Sequence, residues 1–250
     1  MQTPAPDGAA SRPARFAIAT KPWAIVRLVG AAAILAAVIN QLAVTMGNAL
    51  HATTPYGSHL PTIVANFLSF FTIESNIWAA VMLVIVAVWS LRPSGASGTG
   101  STEPEPRGIA ILLACGSTYM IVTGIVYNTL LRGIELPQGS TVEWANEMMH
   151  VVGPLLMLAD VLLAPRRRRL GWGVVAITAI FPIVWAVYTL VRANLIINPR
   201  TGARGWYPYP FLDPANVGGY GGVAVYIAAI AVVIIAVGAG VVWVSRKRGS

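Results

Sequence analysis

Charge is the scarcest property of this 250-residue sequence: Asp, Glu, Lys and Arg together make up only 10% of it. A water-facing domain of this size carries roughly a quarter. Too few charges remain to coat a solvated surface. Acid is the scarcer sign, nine residues against seventeen basic ones, for a formal net charge of +8. The basic residues stand at the ends of apolar runs and form no stripe interleaved with aromatics, which argues against a nucleic-acid surface. Cysteine occurs once, as Cys115 inside an apolar run, so no intrachain disulfide can form. Histidine occurs three times, and only His150 lies deep in an apolar run. That argues against paired axial haem ligands. No internal repeat stands out, and the reading requires no metal ion and no cofactor.

What is abundant is apolar. Hydrophobic residues make up 56% of the chain, and its mean hydropathy is +0.68. About 20 apolar residues cross a hydrocarbon core of about 30 Å. Six such runs fall at about 23–47, 61–91, 108–131, 142–164, 170–193 and 215–244. Each must be a helix, because backbone groups in lipid have to be satisfied within their own segment. The expected fold is all-α and polytopic, a single bundle of about six transmembrane helices over 23–244. Residues 1–22 are read as a disordered cytoplasmic N-terminus, and 245–250 as a basic cytoplasmic tail. The first run follows Arg12, Arg15 and Lys21 as a signal peptide would. It is too long for one and no small-x-small cleavage site follows, so it is read as retained. The second run is long enough to tilt or to project beyond the bilayer.

Arginine and lysine set the orientation. Arg12, Arg15, Lys21 and Arg27 flank the first run, Arg92 and Arg107 bound the second loop, Arg166 to Arg169 form the fourth, and Arg246 to Arg248 end the chain. All fall on one side if both termini are cytoplasmic. The Gly/Ser/Thr/Pro/Glu-rich stretch 93–106 then reads as a flexible cytoplasmic linker. Ser140 and Glu143 have capping-box spacing before the fourth run, and Asp213-Pro214 suits the start of the sixth. The preference for arginine over lysine, with abundant Ala, Gly and Val, suggests a bacterial, GC-rich genome and a cell-membrane location.

Ionisable and polar groups at membrane depth are costly and mark functional candidates. In the second run Ser69, Thr72, Ser75 and Asn76 share one helical face, and in the fourth Asn146, Glu147, His150 and Pro154 share another. Thr72 lies about 16 Å along its helix and His150 about 12 Å along its own. Both helices run from outside to inside, so the two side chains share a level. Two polar faces turned inward would line one outward-opening pocket. A hydroxyl becomes a nucleophile when a base takes its proton and a third group orients that base. Thr72 as nucleophile, His150 as base and Asn146 or Glu147 as orienting group make such a set, with Asn76 or Tyr127 as oxyanion donor. Apolar walls would suit a lipid-like ester, with membrane lipids as neighbours.

Each residue also has a structural reading. Thr72 would hydrogen-bond its own helix or help helices pack, and His150 would be a buried hydrogen-bonding group. Glu74, on a different face, would pair with an arginine such as Arg192 or carry protons. Glu147 would be interfacial. Asp160 would pair with the Arg166–Arg169 run, and His51 and His59 would be exposed in loops. The outer stretch holding Trp206, Tyr207, Tyr209 and Phe211 reads as an aromatic interface anchor, or as a semi-rigid lid over the pocket.

Three stretches carry a resemblance. Phe71-Thr72-Ile73-Glu74-Ser75-Asn76 resembles the threonine-bearing segment of the androgen-induced and androgen-dependent integral membrane hydrolases. Asn146-Glu147-Met148-Met149-His150, followed by Pro154 and Asp160, resembles their histidine-bearing helix. Tyr207-Pro208-Tyr209-Pro210-Phe211-Leu212-Asp213-Pro214 resembles the last-loop signature of bacterial six-pass membrane proteins distantly similar to those hydrolases. The resemblance implies a six-helix membrane fold. It also implies threonine-dependent hydrolysis of fatty acid esters of hydroxy fatty acids, with Thr72 as nucleophile and His150 as its partner. Two other functions compete: a small permease or proton-coupled carrier using Glu74, Glu147, His150 and Arg192, and a non-catalytic membrane scaffold.

Overall fold

The computed structural model describes residues 20–92, 104–134 and 141–249. Most of the linker 93–106, the first nineteen residues with Arg12 and Arg15, and Ser140 of the expected capping box lie outside them. Among the described residues the protein is an all-α bundle. Six helical segments are long and apolar enough to cross a membrane, and the architecture is that of a polytopic membrane protein.

The elements follow in chain order. Helix α1 is Thr20–Leu50, α2 Leu60–Leu68, α3 Phe71–Leu91 and α4 Arg107–Val126, the last continued by a π-helical turn at Tyr127–Leu131. Helix α5, Glu143–Glu147, runs through a second π-helical turn, Met148–Val152, into α6, Gly153–Leu163. Helix α7 is Val174–Ala193, a short 3-10 turn covers Pro210–Leu212, and α8 is Tyr220–Arg248. Helix α4 is central: 67% of its apolar window is buried, against 22% for both α7 and α8, which therefore form a lipid-facing wall.

The second apolar run is two helices, a departure from the single span expected over 61–91. The chain breaks at Ser69 and Phe70. Ser69 Oγ turns back to the Ala65 carbonyl at 2.7 Å, and Phe70 is extended, at φ −73° and ψ 124°. This puts Thr72 in the first turn of α3, where backbone N–H groups have no helical partner. The sixth span begins at Tyr220 rather than near Ala215. Gly218 and Gly219 take positive φ of 75° and 88° and delay the helix. Asp213 instead closes a turn by accepting from Ala215 N–H at 2.9 Å. The basic tail stays helical through Arg248. Val142 opens α5 without a side-chain cap, and its N–H donates to Gln41 Oε1 at 3.0 Å.

Without water to drive burial, helices in lipid pack through small residues and polar contacts. Gly124 is one such point: a Cβ there would sit 2.8 Å from Pro154 Cβ, so α4 and α6 touch almost backbone to backbone. The start of α1, the Arg167 loop and the end of α8 gather at one end of the bundle. There Asp160 Oδ1 accepts from Trp23 Nε1 and Arg27 Nε, and its Oδ2 from Arg167 Nη2, all at 2.7 Å. Ser245 Oγ accepts from Leu170 N–H, and Arg248 donates to the Leu162 carbonyl. Thr72 and His150 lie toward the other end.

Candidate active site

Thr72 Oγ1 and His150 Nε2 are 3.2 Å apart, and both residues are buried. The first turn of α3 supplies the hydroxyl and the π-helical turn Met148–Val152 supplies the ring. Such turns insert an extra residue into a helix and re-aim a side chain.

His150 Nδ1 lies 2.9 Å from the Asn146 carbonyl. A carbonyl only accepts, so Nδ1 carries the proton and Nε2 of the neutral ring is a bare acceptor. Thr72 O–H therefore donates to Nε2. Tyr209 OH lies 3.1 Å from Thr72 Oγ1 and accepts from Thr72 N–H at 3.1 Å. Its own proton is then directed at Thr72 Oγ1. The chain runs from Tyr209 through Thr72 and His150 to the Asn146 carbonyl.

The surroundings fix these groups. Tyr127 stacks on His150 with ring centroids 3.8 Å apart and planes 23° from parallel. Tyr209 is gripped by Phe70 edge-on at 5.5 Å and by Phe211 stacked at 5.2 Å. Burial pushes the Tyr209 phenol up to about 12, the Thr72 contacts opposing the rise, so it remains a neutral donor across ordinary pH. Asn76 Nδ2 donates to the Thr72 carbonyl at 2.8 Å and the Met149 carbonyl at 3.2 Å, tying α3 to the histidine turn. Asn128 Nδ2 reaches the His150 carbonyl at 3.1 Å. Ser75 Oγ donates to the Thr72 carbonyl and meets Thr123 Oγ1, both at 3.0 Å.

Several expected roles change. The group that orients His150 is the main-chain carbonyl of Asn146; the Asn146 side chain donates to Tyr127 OH at 2.6 Å. Glu147 faces outward and pairs with Arg132 at 3.0 Å. That contact raises the Arg132 pKa above its ordinary value. Asn76 has spent both donor hydrogens on carbonyls, which removes it as an oxyanion donor. Tyr127 is the stacking platform. Glu74 does not meet Arg192: Arg192 donates to Asn66 Oδ1 at 2.7 Å and lies over the Trp206 ring, while Glu74 Oε2 is buried without a partner. The four groups of the relay expected for a carrier are thus not assembled. Asp160 does pair with Arg167 of the arginine run, and Arg27 completes the pairing. His51 and His59 are exposed.

The aromatic loop packs into the bundle and borders the site. Trp206, Tyr209 and Phe211 are buried in the bundle and Tyr207 is half-buried. The sequence placed Tyr209 in an interface anchor or a lid and gave no sign of its contact with Thr72. The run of Tyr and Pro marked the segment as special, but nothing in it gives the reach of one phenol.

Two spaces flank Thr72. A cavity of about 160 Å³ has Phe71, Thr72, Tyr127 and Tyr209 on its inner side and residues of α7 and α8 beyond. A gap of about 20 Å³ lies on the other side, bounded by Thr72, His150, Asn146, Gln41 and Thr141. Compared with known proteins, the chain matches no family model, no curated protein and no solved structure.

Proposed function

We propose that the protein hydrolyses lipid-like carboxylic esters within the membrane, with Thr72 as nucleophile, His150 as general base and Tyr209 as oxyanion donor. The observation that carries this reading is the directed hydrogen-bond chain: 3.1 Å from Tyr209 to Thr72, 3.2 Å to His150 and 2.9 Å to the Asn146 carbonyl. It has the nucleophile, base and orienting group that acyl transfer needs, with the base already in the accepting tautomer.

The reaction follows from these positions. Thr72 Oγ1 attacks the ester carbonyl carbon as its proton passes to His150 Nε2. The oxygen that becomes anionic meets Tyr209 O–H, a donor whose oxygen Thr72 N–H already holds in place. Collapse breaks the ester C–O bond, and the imidazolium returns the proton to the departing alkoxide, giving an alcohol and acyl-Thr72. A water then attacks the acyl group, its proton going to His150, and the free acid leaves with the Thr72 hydroxyl restored. The Asn146 carbonyl stabilises the imidazolium in both halves. The setting we assign is a cell membrane with both termini cytoplasmic, from the Lys/Arg distribution, and a bacterial one, from the Arg-, Ala-, Gly- and Val-rich composition. Membrane lipids are the neighbours and a lipid-like ester the substrate. The two stretches that resemble the androgen-induced and androgen-dependent hydrolases, around Thr72 and around His150, point to the same reaction.

A fluorophosphonate probe reacts with activated hydroxyl nucleophiles. Purified protein is expected to be labelled and Thr72→Ala to remain unlabelled. Labelling that survives in Thr72→Ala ends the assignment.

One observation favours a second reading. Glu74 keeps a buried carboxylate oxygen unpartnered, as a proton-coupled carrier would require. Flux in proteoliposomes lost in Glu74→Gln and kept in Thr72→Ala would replace the hydrolase by a carrier.

A further inference from the structure

We infer that the cavity behind Thr72 is a lateral port between α7 and α8 through which the acyl chain of an ester enters from the bilayer, while the alcohol half lies on the His150 side. The inference rests on the hydrolase reading and adds which half of the substrate goes where, and by what route.

Proton bookkeeping sorts the two halves. The base that takes the proton of the nucleophile gives it to the leaving oxygen. The alcohol must therefore lie within reach of His150. His150 borders the small gap, together with Gln41, Thr141 and Asn146. It does not border the larger cavity, whereas Thr72 borders both. An acyl carbon held at Thr72 Oγ1 with its alkoxy oxygen toward His150 sends its chain into the larger cavity.

The walls fit that occupant. Beyond the Thr72 end the cavity is lined by aliphatic residues of α7 and α8, among them Ala179, Ile183, Ala231 and Ile235. An alkyl chain forfeits nothing there, whereas a polar headgroup would lose its hydrogen bonds.

The cavity also reaches lipid. Ile183 and Ile235 line it, yet they are 59% and 51% exposed on the outer faces of α7 and α8. Those faces belong to the two least buried spans. At the inner end the helices close tightly: a Cβ on Gly238 would lie 2.6 Å from Thr178 Oγ1. One turn on, Pro182 cannot donate to the Thr178 carbonyl, a position at which a helix bends. There Ala179 and Ala231 put only methyl groups on the walls. At the outer end Phe211 and Leu212 form the roof. The opening is thus bounded at both ends and faces the hydrocarbon sideways, so a chain can pass from bilayer to nucleophile without crossing water.

Chain-length selectivity tests this. Full-length protein in phosphatidylcholine vesicles is assayed on p-nitrophenyl acetate and p-nitrophenyl palmitate, which share a leaving group and differ in acyl length. Ala231→Trp is expected to lower the palmitate-to-acetate ratio of kcat/KM by about tenfold or more, and Ala179→Trp, from the facing helix, to do the same. An unchanged ratio in both variants overturns the port. Hydrolysis that persists in Thr72→Ala overturns the catalytic reading instead. A measurement without turnover keeps the two apart: Thr72→Ala protein in the same vesicles is irradiated with palmitic acid carrying a terminal diazirine. Adducts concentrated in 179–183 and 227–235 support the port, and adducts spread evenly over the exposed faces of all six spans overturn it.

Discussion

The two ends of the bundle treat buried polarity in opposite ways. At the basic end, Asp160 has both oxygens filled by three donors at 2.7 Å and lies entirely inside the protein. Regular helices converge on it. At the other end the helices are irregular: one is broken at Ser69–Phe70 and two pass through π-helical turns. Among the described residues, buried atoms of Asn66, Glu74, Asn76 and Thr189 lack partners there, against Arg167 Nε at the basic end and Ser117 Oγ midway along α4. A hydroxyl and an imidazole meet beside a cavity. Unsatisfied groups and distorted helices are costly, and proteins tolerate them chiefly where they serve chemistry. The contrast makes the basic end a clamp and the other end the place where that cost is incurred.

The contrast can be broken by substitution. The largest expected effect is on activity: Thr72→Ala should lower ester hydrolysis by about 10³-fold or more, with the thermal midpoint moved little. Removal of its side-chain hydrogen bonds costs only about 1 kcal/mol each. Asp160→Ala should do the reverse. It leaves Arg27 and Arg167 buried and unpaired, costing about 3–5 kcal/mol of stability, read as a large fall in the unfolding midpoint in detergent.

Tyr209→Phe comes next, with an expected loss of about 10²-fold in kcat from one missing oxyanion donor. It also carries a pH signature. The buried phenol titrates at about 12 in the folded chain, against about 10 when unfolded. Between those values the unfolded chain has lost a proton that the folded chain keeps, so stability falls as pH rises through that window. Tyr209→Phe should remove this part of the alkaline fall, as followed by denaturation at pH 9 and pH 12. Gly124→Ala should cost about 1–3 kcal/mol, because the new methyl meets Pro154 at 2.8 Å. It should also slow turnover by shifting the histidine helix. The smallest effect should come from Glu147→Gln. That pair with Arg132 is nearly half exposed on both sides, and surface ion pairs contribute little. A large loss of activity in Glu147→Gln would show that the outward pair controls His150 after all.

The six spans were legible because membrane depth dictates length and composition, and a run such as 108–131 allows only a helix. The Thr72/His150 pair was legible in part. Three-and-four spacing put each residue on a polar face, and counting rises from the ends of the runs gave a common depth. Tyr209 was out of reach of such counting, since a loop residue has no periodic address. So was the orienting carbonyl of Asn146, which every residue type possesses. The role given to Asn76 failed for a related reason: its type allows donation, but only the neighbouring carbonyls decide to whom. The missed break at Ser69–Phe70 has a local cause, a serine hydroxyl competing for a helical carbonyl, and no glycine or proline stands there to announce it.

By itself the sequence determined how many times the chain can cross a membrane, which segments do so and which ends carry the positive charge. These follow from the transfer of apolar side chains and arginines between water and lipid, a property of each residue taken singly. Tertiary structure decided that a phenol from a loop, a hydroxyl from a helix start and an imidazole from a distorted turn share a single hydrogen-bond chain. Hydrogen bonds depend on tenths of an ångström between groups far apart along the chain, and only the packed bundle sets those distances.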